Sequence, residues 1–331
     1  MAEGLHHGGR LAEARRRFPD APEPWIDLST GINPFPFPFT PPPLAAFARL
    51  PEPEEELALR VAAARAYGVA DPAMVVAAPG TQLLISQLPR ICPLATVAVL
   101  GPTYAEHAAG WSAAGSEVVE VAHPAELGIC SGAVLCNPNN PDGRRISPAD
   151  LVVLADRLAI KGGLLVVDEA FADLEGPEAS VAPLLPREGL LVLRSFGKAY
   201  GLAGLRLGFA LASPGLAEAL RAGLGPWAVS GPAIAIARQA FADVNWLAAA
   251  SARLARDASR LDRVLTRAGL TVVGGTRLFR LVETDRAPAL HDALGRAGIL
   301  VRRFGRADHR LRFGIPGDDE HWRRLQAVVS V

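Results

Sequence analysis

Seven short apolar runs constrain this chain more than any other feature. They are "MVVAA" (74–78), "TVAVL" (96–100), "EVVEV" (117–121), "GAVLC" (132–136), "LLVVD" (164–168), "LLVLR" (190–194) and "LRLGFAL" (205–211). Several are continuously apolar, a pattern suited to strands covered on both faces. Helical patterns lie between them near 81–91, 104–114 and 148–161. Strands alternating with helices predict an α/β fold, a mostly parallel sheet sandwiched by helices.

The two ends read differently. Residues 20–43, "DAPEPWIDLSTGINPFPFPFTPPP", are dense in proline and predict an extended arm with no core element. A long Arg/Ala/Leu helix is expected from about 244 to about 268. "TRLFRLVE" with a helix over 287–297, then "ILVRRF" and "RLRFGIP" with a terminal helix, predict a smaller α/β lobe. The expected organisation is an arm (1–43) joining the small lobe, a large domain (44–243) and a small C-terminal domain (244–331).

With 331 residues, half of them hydrophobic, the chain can bury a large core in two lobes. Lys+Arg and Asp+Glu stand at 34 each, so no net field draws it to nucleic acid or an anionic membrane. No segment has the roughly 18 uninterrupted apolar residues of a membrane helix, and the N-terminus lacks the apolar stretch of a secretory signal. Cys92, Cys130 and Cys136 form no CxxC pair and read as reduced thiols. The expectation is a soluble cytoplasmic protein acting on a small molecule.

Five strand-end features carry chemistry. "APGTQLL" sets Gly80, Thr81 and Gln82 between a strand and a helix, where free amides favour a phosphate, or where Thr81 simply caps the helix. Tyr104, in "GPTYAEH", could stack on a flat ligand or pack half-buried. "CNPNNPDGRRIS" fixes a rigid loop that would hold an Asn amide as a stiff donor, or would only lead into the next helix. Asp168 ends an apolar strand, where a carboxylate needs a cation or a capping role. Finally, "SFGKAYGLAGLRLGF" (195–209) holds Lys198, one of two lysines among 34 basic residues. A guanidinium keeps its proton near neutral pH, whereas a partly desolvated amine can lose it and attack a carbonyl. Ligands of such sheets bind at the carboxyl edge. In this order the five would hold a flat, phosphorylated, cationic aromatic aldehyde, pyridoxal 5′-phosphate (PLP), with Asp168 keeping the ring nitrogen protonated.

The set closely resembles fold-type I PLP enzymes of the class I/II aminotransferase family over nearly the whole chain. The resemblance implies that Lys198 carries the cofactor as a Schiff base and Asp168 pairs with its ring nitrogen. It implies that Asn140 donates to the ring hydroxyl, that Tyr104 stacks, and that Gly80, Thr81, Gln82, Ser195 and Arg206 hold the phosphate. Arg312, in "LRFGIP", matches the arginine that grips the substrate α-carboxylate, a task for a bidentate fork. A homodimer is also implied. Three positions depart: Phe171 replaces the tyrosine of "DEAY", Gly197 the hydroxyl residue before the lysine, and Leu50 the tyrosine of "YPDP".

"HGG" (7–9) with "DLSTGINP" (27–34) is similar to the branch that decarboxylates L-threonine O-3-phosphate in cobalamin biosynthesis, near the histidinol-phosphate aminotransferases. That resemblance places His7 and Asn33 near the substrate and Arg302 on its phosphate. The rivals are an aminotransferase using nearly the same residues and a non-catalytic PLP-binding regulator. A dinucleotide-binding protein is disfavoured by the lack of a GxGxxG after the first strand.

Overall fold

The computed structural model describes residues 7–305 and 307–330, and the first six residues of the expected arm lie outside them. Two compact units result, one of residues 36–140 and 145–248, the other of residues up to 35, 141–144 and from 249 onward.

The larger unit carries a seven-stranded sheet. Its spatial order is Val75–Ala78, Gly208–Ala212, Leu190–Ser195, Leu164–Asp168, Gly132–Cys136, Thr96–Leu100, Glu117–Val121. Only Gly208–Ala212 runs against the others, as the helix-linked alternation predicts. Register aligns Cys136 with Asp168 and Asp168 with Leu193, so the carboxyl ends of the central strands finish together.

Residue parity divides the core. Val134, Val166, Leu191, Leu193 and Ala210 pack with Leu84, Ile85 and Leu88 of helix Thr81–Ile91 and with Trp111 of helix Glu106–Ala113. Alternation sends Asp168 to the face of Val166, and Arg194 to the opposite face. There Tyr67, Phe209 and Phe241 meet edge to face or tilted, with ring centroids 5.5–5.7 Å apart. Tyr67 ends helix Pro53–Tyr67, which no strand pattern announced. Its boundaries are nonetheless local, with Pro at its first turn, a Glu52/Glu55 capping box and Gly68 in the left-handed region after it.

The smaller unit has a five-stranded sheet in the order Ile26–Leu28, Ile299–Phe304, Ala307–Gly314, Phe279–Glu283, Thr271–Thr276. Two expectations fail here. "TRLFRLVE" is not one strand, because Thr276 Oγ1 accepts the Leu278 amide and turns the chain into a hairpin. The proline-rich segment does contribute to a core. Ile26–Leu28 pairs in parallel with Ile299–Val301, and Ile26 and Leu28 are buried. Three residues free of proline suffice for an edge strand. Further along the chain, "LRLGFAL" starts its strand only at Gly208, since Arg206 adopts a left-handed backbone conformation. No helix among the described residues is long and apolar enough to cross a membrane.

Candidate active site

The strand ends of the larger unit surround a cavity of ≈ 180 Å³ lined by Gly80, Thr81, Gln82, Tyr104, Asn140, Asp168, Ser195, Lys198 and Arg206, among others. All nine residues expected to hold a cofactor therefore meet around one space.

One end is a cup built by glycine. Gly80 (φ 81°) precedes helix Thr81–Ile91, and a Cβ there would lie 2.7 Å from Arg206 Nη2. A Cβ on Gly208 would lie 2.5 Å from the Thr81 amide. Both absences let a guanidinium and helix N–H groups converge, the donor set that suits a phosphate. Beside the cup, Tyr104 Oη donates to Gln82 Oε1 (2.9 Å) and Gln82 Nε2 to Glu106 Oε2 (2.9 Å), which fixes the Tyr104 ring.

The loop after Cys136 divides its asparagines between two tasks. Asn137 accepts from the Ile146 amide and donates to the Ile146 carbonyl, closing the loop. Asn139 donates to Pro102 O (3.0 Å) and accepts from Thr103 Oγ1 (2.7 Å). Both are buried, while Asn140 reaches the cavity.

Asp168 is 5% exposed and holds two partners. Its Oδ1 accepts the Ala170 amide (3.0 Å), and its Oδ2 lies 2.9 Å from His107 Nε2. Burial pushes the His107 pKa down, but hydrogen bonds to Asp168 and Cys136 outweigh it and lift the value to about 10. The shift favours the imidazolium form of His107, the cation that a buried strand-end carboxylate needs. Sequence reasoning passed over His107 inside "GPTYAEH". The available signal was its position three residues after Tyr104, on the helix face turned to the sheet.

Lys198 sits on the short helix Phe196–Ala199, with Nζ 5.8 Å from the centroid of the Phe171 ring. Phe171 therefore offers the amine an apolar neighbour. Gly197 has a steric reason to lack a side chain, since a Cβ would lie 2.6 Å from Ala203 Cα. Leu50 is 62% exposed.

The four residues expected to meet substrate lie in the smaller unit. Arg302 and Arg312 stand directly opposite each other on neighbouring strands. Arg312 is 6% exposed and its guanidinium lies 4.8 Å from the Phe279 ring centroid. Burial, and then the charge of Arg302, lower its pKa to about 9, so this pair of cations favours an anion. Asn33 is buried and its Oδ1 accepts the Phe35 amide, while His7 is exposed.

A parallel α/β sheet with a glycine–arginine cup, a strand-end aspartate and one cavity lysine defines a PLP-dependent transferase fold. The chain belongs to the aminotransferase class I and II family, whose model matches residues 45–328. It is 43% identical over 328 residues to the threonine-phosphate decarboxylase of Pseudomonas aeruginosa, covering 98% of this chain and 97% of that one. It is 45% identical over 333 residues to the threonine-phosphate decarboxylase of a Sinorhizobium species, covering 100% and 99%. Among solved structures, the histidinol-phosphate aminotransferase of Sinorhizobium meliloti, in complex with pyridoxal-5'-phosphate, superposes with a TM-score of 0.81 at 23% identity over 100% of this chain and 98% of that one.

Proposed function

We propose that this protein is a PLP-dependent decarboxylase that converts L-threonine O-3-phosphate to (R)-1-amino-2-propanol O-2-phosphate and CO₂, supplying the aminopropanol linker of cobalamin. The single observation that carries the reading is the near full-length identity to two threonine-phosphate decarboxylases. The cavity residues fit the cofactor. Gly80, Thr81, Gln82, Ser195 and Arg206 would hold its phosphate, Tyr104 its ring face, Asn140 its ring hydroxyl, and Asp168, held by His107, its ring nitrogen.

Bound PLP supplies an electron sink for the bond broken at the substrate's Cα. Around that sink the protein's tasks are binding, orientation and proton transfer. Arg312 grips the carboxylate as a fork. Arg302, with Asn33 and His7, binds the distal phosphate, and that remote contact fixes which Cα bond faces the sink. Lys198 Nζ, having bound the cofactor, returns a proton to Cα once CO₂ has left. The protein acts in the cytoplasm, in keeping with three free cysteines. It works as a homodimer, which would cover Leu44, Phe47 and Trp227, all more than half exposed on the larger unit.

The test is a product assay on threonine phosphate, with borohydride reduction of the holoenzyme. CO₂ and aminopropanol phosphate should appear, and reduction should attach the cofactor to Lys198. Transamination of histidinol phosphate without decarboxylation would establish the aminotransferase reading instead. Labelling of Lys161 would overturn the lysine assignment.

A further inference from the structure

The N-terminal motif carries two adjacent glycines, and the residue they approach is Ser29. Ser29 follows strand Ile26–Leu28 and is 1% exposed. Its Oγ donates to Asp27 Oδ1 (2.6 Å) and accepts from the Gly9 amide (2.7 Å). Asp27 Oδ1 also accepts the Ser29 amide (2.8 Å), so the side chain is locked in one rotamer. The carbonyl of the same residue accepts from Arg312 Nη2 at 2.9 Å. One residue thus holds the N-terminal segment with its side chain and a buried guanidinium with its backbone.

The glycines make this approach possible. A Cβ on Gly8 would overlap the Ser29 carbonyl oxygen and lie 2.9 Å from its carbon and 3.0 Å from Oγ. Any side chain at 8 would displace either the segment or the carbonyl that Arg312 uses. Gly9 has φ 81°, a conformation that other residues adopt only with strain. A guanidinium is planar, so anchoring one Nη restricts the directions in which its other N–H groups are presented.

We propose that Ser29 is a positioning residue that latches the N-terminal segment carrying His7 to the guanidinium of Arg312. Docking of that segment and orientation of the arginine are then one event, held together through Asp27, Ser29 and the bare backbone of Gly8–Gly9. The role of Arg312 towards a carboxylate rests on the function proposed above. The latch does not.

Coupling is reciprocal, so it can be read with and without substrate. In substrate-free holoenzyme, hydrogen exchange at the Gly9 amide should accelerate about 10-fold or more in Ser29→Ala, which removes the acceptor of that amide together with the hydroxyl's bond to Asp27. It should also accelerate in Arg312→Lys, which keeps the charge but loses the fork. Exchange that is unchanged in Arg312→Lys overturns the latch. In a double-mutant cycle, Ser29→Ala should raise the Kd for threonine phosphate about 10-fold when Arg312 is present, and by under about twofold in the Arg312→Lys background. Additive losses would mean Ser29 acts elsewhere and would overturn the proposal. Should Ser29→Ala not fold, Gly8→Ala tests the same contact and should give the same two signatures. A wild type that fails to bind threonine phosphate at all would sink the decarboxylase reading, while the exchange arm still decides the latch.

Discussion

His107 stands 2.9 Å from a carboxylate that the fold has buried, and that contact favours its protonated form. A cation–carboxylate pair in that setting stabilises the protein only while both partners are charged. The folded-state value near 10 lies above the ordinary histidine value of about 6.5. Its contribution is therefore complete below about pH 6.5 and is lost as pH rises through about 10. Cofactor-free wild type should lose melting temperature between these limits, and His107→Gln should lose much less over the same range. Parallel slopes in the two proteins would refute the assignment. Lys198 and Asp168 were legible in the sequence because a scarce lysine and a charge ending an apolar strand are both locally anomalous. His107 was not, because its partner lies 61 positions away and its own helix reads as ordinary. The departure at Gly197 was legible, but its cause in the backbone of Ala203 was visible only in three dimensions.

Strands Leu164–Asp168 and Leu190–Ser195 carry Asp168 and Ser195 to the cavity, and a second set of charges ties the same ends together on the other face. Arg194 Nη1 donates to Glu169 Oε2 (2.7 Å), Nη2 to Asp173, and the guanidinium lies 4.6 Å from the Tyr67 ring centroid. Ser180 Oγ and the Val181 amide complete Glu169. Burial raises the pKa of both Glu169 and Asp173, and Arg194 opposes this in each. Arg194→Met would leave two buried carboxylates without their cation, at a cost of about 3–5 kcal/mol near neutral pH. Acids with raised folded-state values stabilise most below their ordinary range, so the deficit should shrink as pH falls from about 7 towards about 5. Denaturant midpoints across that range check the sign. Sequence periodicity found the strands themselves because continuous apolar runs have few other uses. It could not find Arg194, which reads as an ordinary strand-end charge until Tyr67 and Glu169 are seen around it.

The whole molecule divides its labour between units. The cup, the aspartate and the lysine belong to one, the paired arginines to the other. If the distal phosphate orients the scissile bond, its binding energy must appear in kcat as well as in KM. Arg302→Ala should slow turnover at saturating threonine phosphate by about 10²-fold, whereas Arg312→Ala should show more of its loss in KM. Arg302→Ala with unchanged kcat and only a higher KM would make that clamp uniform binding. The prolines obscured part of this organisation, since they read as an arm and hid the three-residue strand that joins the small sheet.

That strand has a consequence for how the protein is made. Ile26 pairs with Ile299, so this segment leaves the ribosome long before the neighbour it pairs with has been made. The larger unit, whose strands all lie between 75 and 212, can form while the N-terminal segment still waits. Until then Trp25, Ile26 and Leu28 have no sheet to enter. Prolines at 22, 24, 34 and 36 flank this stretch and keep it from pairing with itself or with a nascent neighbour. What reads as a proline-rich arm is a strand held in reserve for a partner translated much later.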